Sequence, residues 1–190
     1  MNSKDGRRVY LFGEINNEVA EKFITRLHDL FEEPIDSITV FINSVGGNVT
    51  DALAIYDVLQ SSPCQVYTIG LGKVHSAAVT VLLAAPRVNR ASYPNTEFMT
   101  HDVSWKSEGP RGFLRDRVIQ LEQTVGQLLD IYTRDTNLSV KEARQRFFAD
   151  QADHYFTPEE ALSLGFISHV LDTSEVVRRA ELRVVEAHHK

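Results

Sequence analysis

Apolar residues along the chain alternate between short β-branched runs and longer stretches with helical spacing. The first half predicts elements in the order strand 8–12, helix 17–31, strand 38–42, helix 52–59, strand 64–69 and helix 77–85. Strands that alternate with helices of this length predict βαβ units and therefore an α/β fold with a mainly parallel sheet.

The second half of the chain does not continue the regular alternation of strands and helices. It predicts two strands within residues 88–99, a polar loop at 104–112, a long helix, a short helix at 140–148, a last helix after residues 153–158 and a strand at 166–171. The charged segment at 175–190 predicts a loosely held helix.

The long helix carries a narrow apolar seam. Its residues follow at intervals of 4, 3, 4, 3 and 4, and they are Leu114, Val118, Leu121, Val125, Leu128 and Tyr132. A seam of this period fits either packing on the core or a projecting helix that meets another subunit.

Composition narrows the class of protein. A chain of 190 residues with a net charge of −6 and a single cysteine, Cys64, predicts one self-sufficient domain without a disulfide. Mild acidity argues against nucleic acid or an anionic membrane as a partner. The polar start and the lack of a membrane-spanning apolar run predict a cytoplasmic protein.

Two glycine-bearing segments, 43–48 and 70–72, follow adjacent predicted strands, where open α/β sheets bind ligands. We interpret both as turns. Nucleotide-binding patterns fail here, because Gly72-Lys73 is followed by Val74 and the third glycine of a dinucleotide motif is replaced by His75.

Ser76 stands where a predicted strand changes into the apolar helix 77–85. A hydroxyl at this position most often caps the helix. Alternatively, Ser76 is a nucleophile, and the N–H of Ala77 together with one from Gly46–Gly47 stabilises an oxyanion.

A nucleophilic serine needs a base and an orienting acid. His101 ends a predicted strand and is the best-placed base, whereas His75 adjoins Ser76 and points elsewhere. Asp153 lies in an aromatic patch, where a carboxylate of low exposure would need a partner; a turn or N-cap role is the alternative. Lys73 is a weaker candidate for a dyad. Of the other histidines, His28, His169, His188 and His189 are weaker candidates for the base.

Several motifs, in order, resemble the proteolytic subunit of the Clp protease. The resemblance covers about residues 8–172 and rests on segments 13–16, 42–47, 54–57, 72–77, 94–101 and 153–165. It implies a single ClpP/crotonase-type domain over 1–190, with a head at 8–101 and 150–172, a projecting handle helix at about 102–137 and a tail at 173–190.

The resemblance also implies roles for individual residues. Ser76 would be the nucleophile, His101 the general base and Asp153 its orienting acid. Gly47 and Ala77 would form the oxyanion hole, and Gly46, Gly47 and Asn48 would bind substrate. No metal or cofactor is implied. The substrate would be a peptide or an unfolded protein, and the chain would form a homo-oligomer of heptameric rings, either single or stacked in pairs through the handle.

The sequence departs from the family pattern at several positions. Proline, alanine, methionine, proline and arginine are usual where this chain has Val45, His75, Ala77, Val103 and Ala152. Thr39 and Ser61 replace aromatic residues that line the docking cleft for the ATPase, and only residues 1–7 precede the first strand. We therefore expect a Clp-type ATPase partnership that is weak, altered or absent.

Two other functions stay open. A ring subunit or scaffold with weak activity would fit the unusual neighbours of Ser76. An acyl-CoA enzyme of the crotonase branch would share the fold but has no need for the serine, histidine and aspartate spacing.

Overall fold

The computed structural model describes residues 7–105, 108–148 and 152–172. The described elements are β1 Arg7–Ile15, α1 Asn17–Phe31, β2 Ser37–Gly47, α2 Val49–Gln60, β3 Gln65–His75, α3 Ala77–Leu82, β4 Arg90–Ser92, β5 Glu97–Thr100, α4 Arg111–Asp135, α5 Val140–Phe147, β6 His154–Phe156, α6 Pro158–Leu164 and β7 His169–Val170. The predicted α/β class is confirmed. The predicted tail at 173–190 lies outside the described residues.

Parallel pairing joins the strands of the main sheet in the order β1-β2-β3-β4-β7. β3 serves two neighbours: Thr68–Gly70 pair with β4, and Lys73–His75 pair with β5. β6 then adds to β5 in the antiparallel direction. The long β3 therefore carries the chain from the main sheet to a small outer sheet, and Ser76 follows directly at its end.

The two predicted glycine turns are wrong as turns, because β2 and β3 run through them. The pairing of β2 with β3 shifts register between Ile42 and Ser44, and Gly46 and Gly72 adopt positive φ angles of 84° and 64° inside the strands. Glycine at such points lets a strand bend without ending. The segments therefore extend the strands past the sheet and do not close loops.

Helices cover the sheet with their apolar faces. Asn16 caps α1 by accepting the Val19 N–H, and every residue of α3 is buried. The seam of α4 divides in two. Its later residues Val125, Leu128 and Tyr132 are buried in the core, whereas Val118 nearer the start is 59% exposed.

β6 is an element that the sequence analysis does not predict, because three residues are too few to show a periodic pattern. Its pairing with β5 places the segment around residue 153 beside the end of β5. In the described ranges, none of the helices combines the length and the apolar character that crossing a membrane requires.

Candidate active site

The backbone of Ser76 is strained. Its φ of 52° and ψ of −125° make it the only residue other than glycine with positive φ in the described ranges. A non-glycine residue in this region costs about 1–3 kcal/mol and persists only where its surroundings enforce it. Such a sharp strand-to-helix bend presents a side chain at the apex of the turn.

Contacts on two sides enforce this conformation. The Ser76 N–H donates to the carbonyl of Met99 on β5 at 2.7 Å. On the other side, the backbone of Gly46 lies so close that a Cβ there would be 2.6 Å from the His75 carbonyl oxygen, 2.7 Å from the Ser76 Cβ and 2.9 Å from the Ala77 nitrogen. The ends of β2 and β5 thus hold the bend between them.

The hydroxyl of Ser76 does not cap α3, since no side-chain hydrogen bond of this kind forms. The common structural role of a serine at a helix start is therefore not the one that Ser76 fills. Its side chain instead lines a cavity of about 70 Å³ together with Gly47, Ala77 and His101. Four of the residues predicted for the site thus meet in one cavity.

His101 is partly buried, and its Nδ1 lies 2.5 Å from the carbonyl oxygen of Asp102. A carbonyl oxygen can only accept, so Nδ1 carries the proton in this contact and Nε2 keeps the lone pair. Within the described part of the chain, no hydrogen bond joins His101 to Ser76 or to Asp153.

Asp153 is exposed and does not line the cavity, so the expectation of low exposure is wrong. It is also not an N-cap, because Thr157 caps α6. The residue pairs of β5 and β6 end at Thr100 with His154. His101 and Asp153 are the next residues of the two strands, so the antiparallel register leads them towards each other.

The residues predicted for the oxyanion hole and for substrate binding differ in whether their N–H groups already donate a hydrogen bond. The N–H of Gly46 donates to Ser44 Oγ at 3.0 Å, and the N–H of Asn48 donates to Ile15 at 2.8 Å. The Asn48 side chain accepts the Asp51 N–H and so caps α2. Ala77 is the first residue of α3, where an N–H has no carbonyl partner within the helix.

His75 points away from the cavity. Its Nε2 is 3.0 Å from Glu97 Oε1, and its ring meets Tyr155 edge-on with centroids 5.8 Å apart. Burial lowers the pKa of His75, and the charge of Glu97 opposes that change. These contacts agree with the sequence argument that His75 is not the base for Ser76.

Two residues at the inner end of the cavity were not predicted from the sequence to belong to the site. Thr80 and Tyr132 both line it, and both are buried. The threonine in the otherwise apolar α3 was an available signal. Burial raises the pKa of the Tyr132 phenol, and the nearby Thr80 hydroxyl opposes that increase.

A second cavity of about 440 Å³ continues from the first. The two share Gly47, Val49, Val103 and Ser104, and the larger one extends to Trp105 and Arg117. The Arg117 guanidinium lies 4.8 Å from the Trp105 ring centroid. Together they form a groove that leads past Ser76.

Comparisons with known proteins agree with one another. A family model described as Clp protease matches residues 3–174. An ATP-dependent Clp protease proteolytic subunit 2 from Thermobifida fusca is 35% identical over 166 residues, which are 87% of this chain and 80% of that protein. The subunit of the same name from Nocardia farcinica is 33% identical over 169 residues, covering 87% of this chain and 80% of that protein.

A solved structure shares the fold. A point mutant of ClpP1 from Listeria monocytogenes superposes with a TM-score of 0.79 at 29% identity, covering 89% of this chain and 93% of that one. The resemblance inferred from sequence motifs, and the fold that it implies, are confirmed.

Proposed function

The chain belongs to the Clp protease family, and from that premise we propose that it is a serine endopeptidase that hydrolyses peptide bonds in peptides or unfolded proteins. The observation that carries the proposal is the strained Ser76, whose hydroxyl caps no helix and shares a cavity with His101. A strained residue persists where its conformation has a role, and holding a nucleophilic side chain at the apex of a turn is such a role.

In this proposal His101 is the general base. With its proton on Nδ1, the lone pair on Nε2 accepts the proton of the Ser76 hydroxyl as Oγ attacks the scissile carbonyl carbon. Asp153 would replace the Asp102 carbonyl as partner of Nδ1 when substrate binds, since catalytic hydrogen bonds are often loose until that stage. The antiparallel register of β5 and β6 supports this assignment.

The tetrahedral intermediate places a negative charge on the former carbonyl oxygen. The Ala77 N–H supports the oxyanion because it lacks a partner in α3. The Gly47 N–H is the second donor. The N–H groups on either side of it are already used, since Gly46 donates to Ser44 Oγ and Asn48 donates to the Ile15 carbonyl, whereas Gly47 lines the cavity beside Ser76.

The acyl-enzyme then forms as the C–N bond breaks. The protonated His101 gives its proton to the leaving amine, and a water molecule, deprotonated by the same nitrogen, hydrolyses the ester to regenerate Ser76. No step requires a metal or an organic cofactor.

The assembly is part of the proposal. The exposed apolar residues near the start of α4, among them Phe113, Val118 and Ile119, would pack against a second copy of the chain in a ring-shaped homo-oligomer. Native mass measurement gives the number of subunits. Partnership with a Clp-type ATPase and a cytoplasmic location stay predictions, which degradation assays with that ATPase and cell fractionation would test.

A fluorophosphonate probe tests the nucleophile directly. We expect the unchanged chain to be labelled and Ser76→Ala to be unlabelled. Ser104→Ala is the matched control, because Ser104 is a second serine of the same cavity, and it should be labelled normally. Failure to label a folded, assembled chain would contradict the proposal and favour a ring subunit without activity.

A further inference from the structure

The inner end of the cavity beside Ser76 holds a polar group without a partner. Thr80 is 1% exposed, and its Oγ1 is buried without a hydrogen bond to any other group. Thr80 opposes the rise in the pKa of the neighbouring Tyr132 phenol, so the two hydroxyls are close, but their geometry is not that of a hydrogen bond. Buried hydroxyls are normally satisfied, so an unsatisfied one that lines a cavity indicates a ligand group.

The position of Thr80 relates it to the proposed chemistry. Ser76 directly precedes α3 and Thr80 is the fourth residue of that helix, and both line the same cavity. A substrate whose carbonyl carbon is at Ser76 and whose oxygen is at Ala77 would direct the adjoining side chain into this cavity. Thr80 lies where that side chain ends.

The size and the walls of the cavity limit which side chain fits. Its volume of about 70 Å³ accommodates roughly two to five water-sized groups, which excludes aromatic side chains. Leu128 and Phe148 make the walls apolar, while Thr80 and Tyr132 supply hydroxyls. A small side chain with a methyl group and a hydroxyl matches both features.

We propose that Thr80 determines specificity: its hydroxyl hydrogen-bonds the side chain of the residue before the cleaved bond and selects threonine or serine there. The inference rests on the proposed peptidase function and adds the class of substrate. A site built to bond a hydroxyl discriminates strongly against an analogue that lacks it, because the buried partner is then left unpaired.

Two peptides that differ only in threonine or valine before the cleaved bond test this, since the two side chains have nearly the same shape. We expect kcat/KM to be about tenfold higher for the threonine peptide, as one buried hydrogen bond implies. In Thr80→Val the preference should vanish or reverse. Thr133→Val is the matched control, because the Thr133 hydroxyl bonds to Leu129 within α4, and it should keep the preference.

The outcomes separate the two proposals. Equal cleavage of both peptides, or preference for valine, by an enzyme that fluorophosphonate labels would overturn the role of Thr80 and leave the peptidase function standing. Absence of both labelling and cleavage would overturn the peptidase function and this inference with it. If Thr80→Val does not fold, Thr80→Ser retains the hydroxyl and should keep the preference, and equal cleavage by that variant also counts against the inference.

Discussion

Gly46→Ala should inactivate the protein by displacing Ser76, and Gly13→Ala is its matched control. Both glycines have nearly the same positive φ, 84° and 83°, so an alanine costs a similar amount in each backbone. That cost is about 1–2 kcal/mol, partly offset by the lower entropy of the unfolded chain. The two positions differ in the room around them, because a Cβ added at Gly13 would have no neighbouring atom within 4 Å.

At Gly46 the added Cβ would be 2.6–2.9 Å from three atoms of His75, Ser76 and Ala77. Ordinary contacts between such atoms are about 3.5–4.0 Å, so these neighbours must move by roughly 0.5–1 Å. Overpacking of this kind costs about 1–3 kcal/mol beyond the backbone term. A displacement near 1 Å of a nucleophile costs about a hundredfold in rate.

The assay combines urea denaturation with the rate of fluorophosphonate labelling, expressed per folded molecule. We expect Gly13→Ala to lose about 1 kcal/mol of stability and to label at the normal rate. Gly46→Ala should lose about 1–3 kcal/mol more and label about a hundredfold more slowly. Equal labelling rates for the two variants would refute the argument that Gly46 holds Ser76 in place.

Three further predictions follow from other contacts. Arg90→Met should lower the unfolding free energy in urea denaturation by about 3–5 kcal/mol, because it leaves the carbonyls of Leu83, Ala85 and Asp135 unpaired. The exposed Arg87→Met should cost less than about 1 kcal/mol. Burial lowers the pKa of His75 despite the opposing charges of Glu97 and Asp153, and Lys73 adds to the decrease. The unfolded chain therefore binds the His75 proton more tightly than the folded chain, and the unfolding free energy falls as the pH drops below about 6.5. In His75→Ala the unfolding free energy should fall less steeply between about pH 7 and 5. An equally steep fall in this variant would contradict the assignment to His75. Val118→Glu should dissociate the assembly in native mass spectra while changing the unfolding free energy of the isolated subunit by less than about 0.5 kcal/mol.

The spacing of apolar residues, and the residues that end helices and strands, were enough to predict the alternating strands and helices and the α/β class. The extent of β2 and β3 could not be predicted, because glycines that bend a strand look the same in sequence as glycines that end one. Gly46 lies inside β2 because it pairs with Glu14, and Gly72 lies inside β3 because Gly70 and Val74 on either side of it pair with β2. Only the sheet register reveals this.

For the candidate site, the structure brings four of the predicted residues into one cavity, but their conformation and exposure could not be predicted from the sequence. Ser76 was visible as a serine at a helix start, yet its positive φ results from contacts with Gly46 and Met99, which are distant in sequence. The exposure of Asp153 depends on β6, an element too short to predict. Thr80 is the one hydroxyl in the sequence of α3 and was therefore a signal, but the apolar character of that helix favoured a purely structural interpretation.

The short helix α3 connects these observations, because both of its ends are fixed by other elements. At its start, the bend at Ser76 is held by Gly46 and Met99. At its last residue, the Leu82 carbonyl accepts the Thr68 hydroxyl, and just beyond it the guanidinium of Arg90 donates to the carbonyls of Leu83 and Ala85.

A helix of six residues has few hydrogen bonds of its own, so these side chains satisfy carbonyls that would otherwise be unpaired in the core. The same helix carries the proposed nucleophile before its first residue, an oxyanion donor at its first residue and Thr80 one turn later. A shift of α3 would therefore move the proposed nucleophile, the proposed oxyanion donor and Thr80 together. Because Arg90 and Gly46 act on opposite ends of one rigid segment, the stability of the core and the geometry of the site depend on the same contacts.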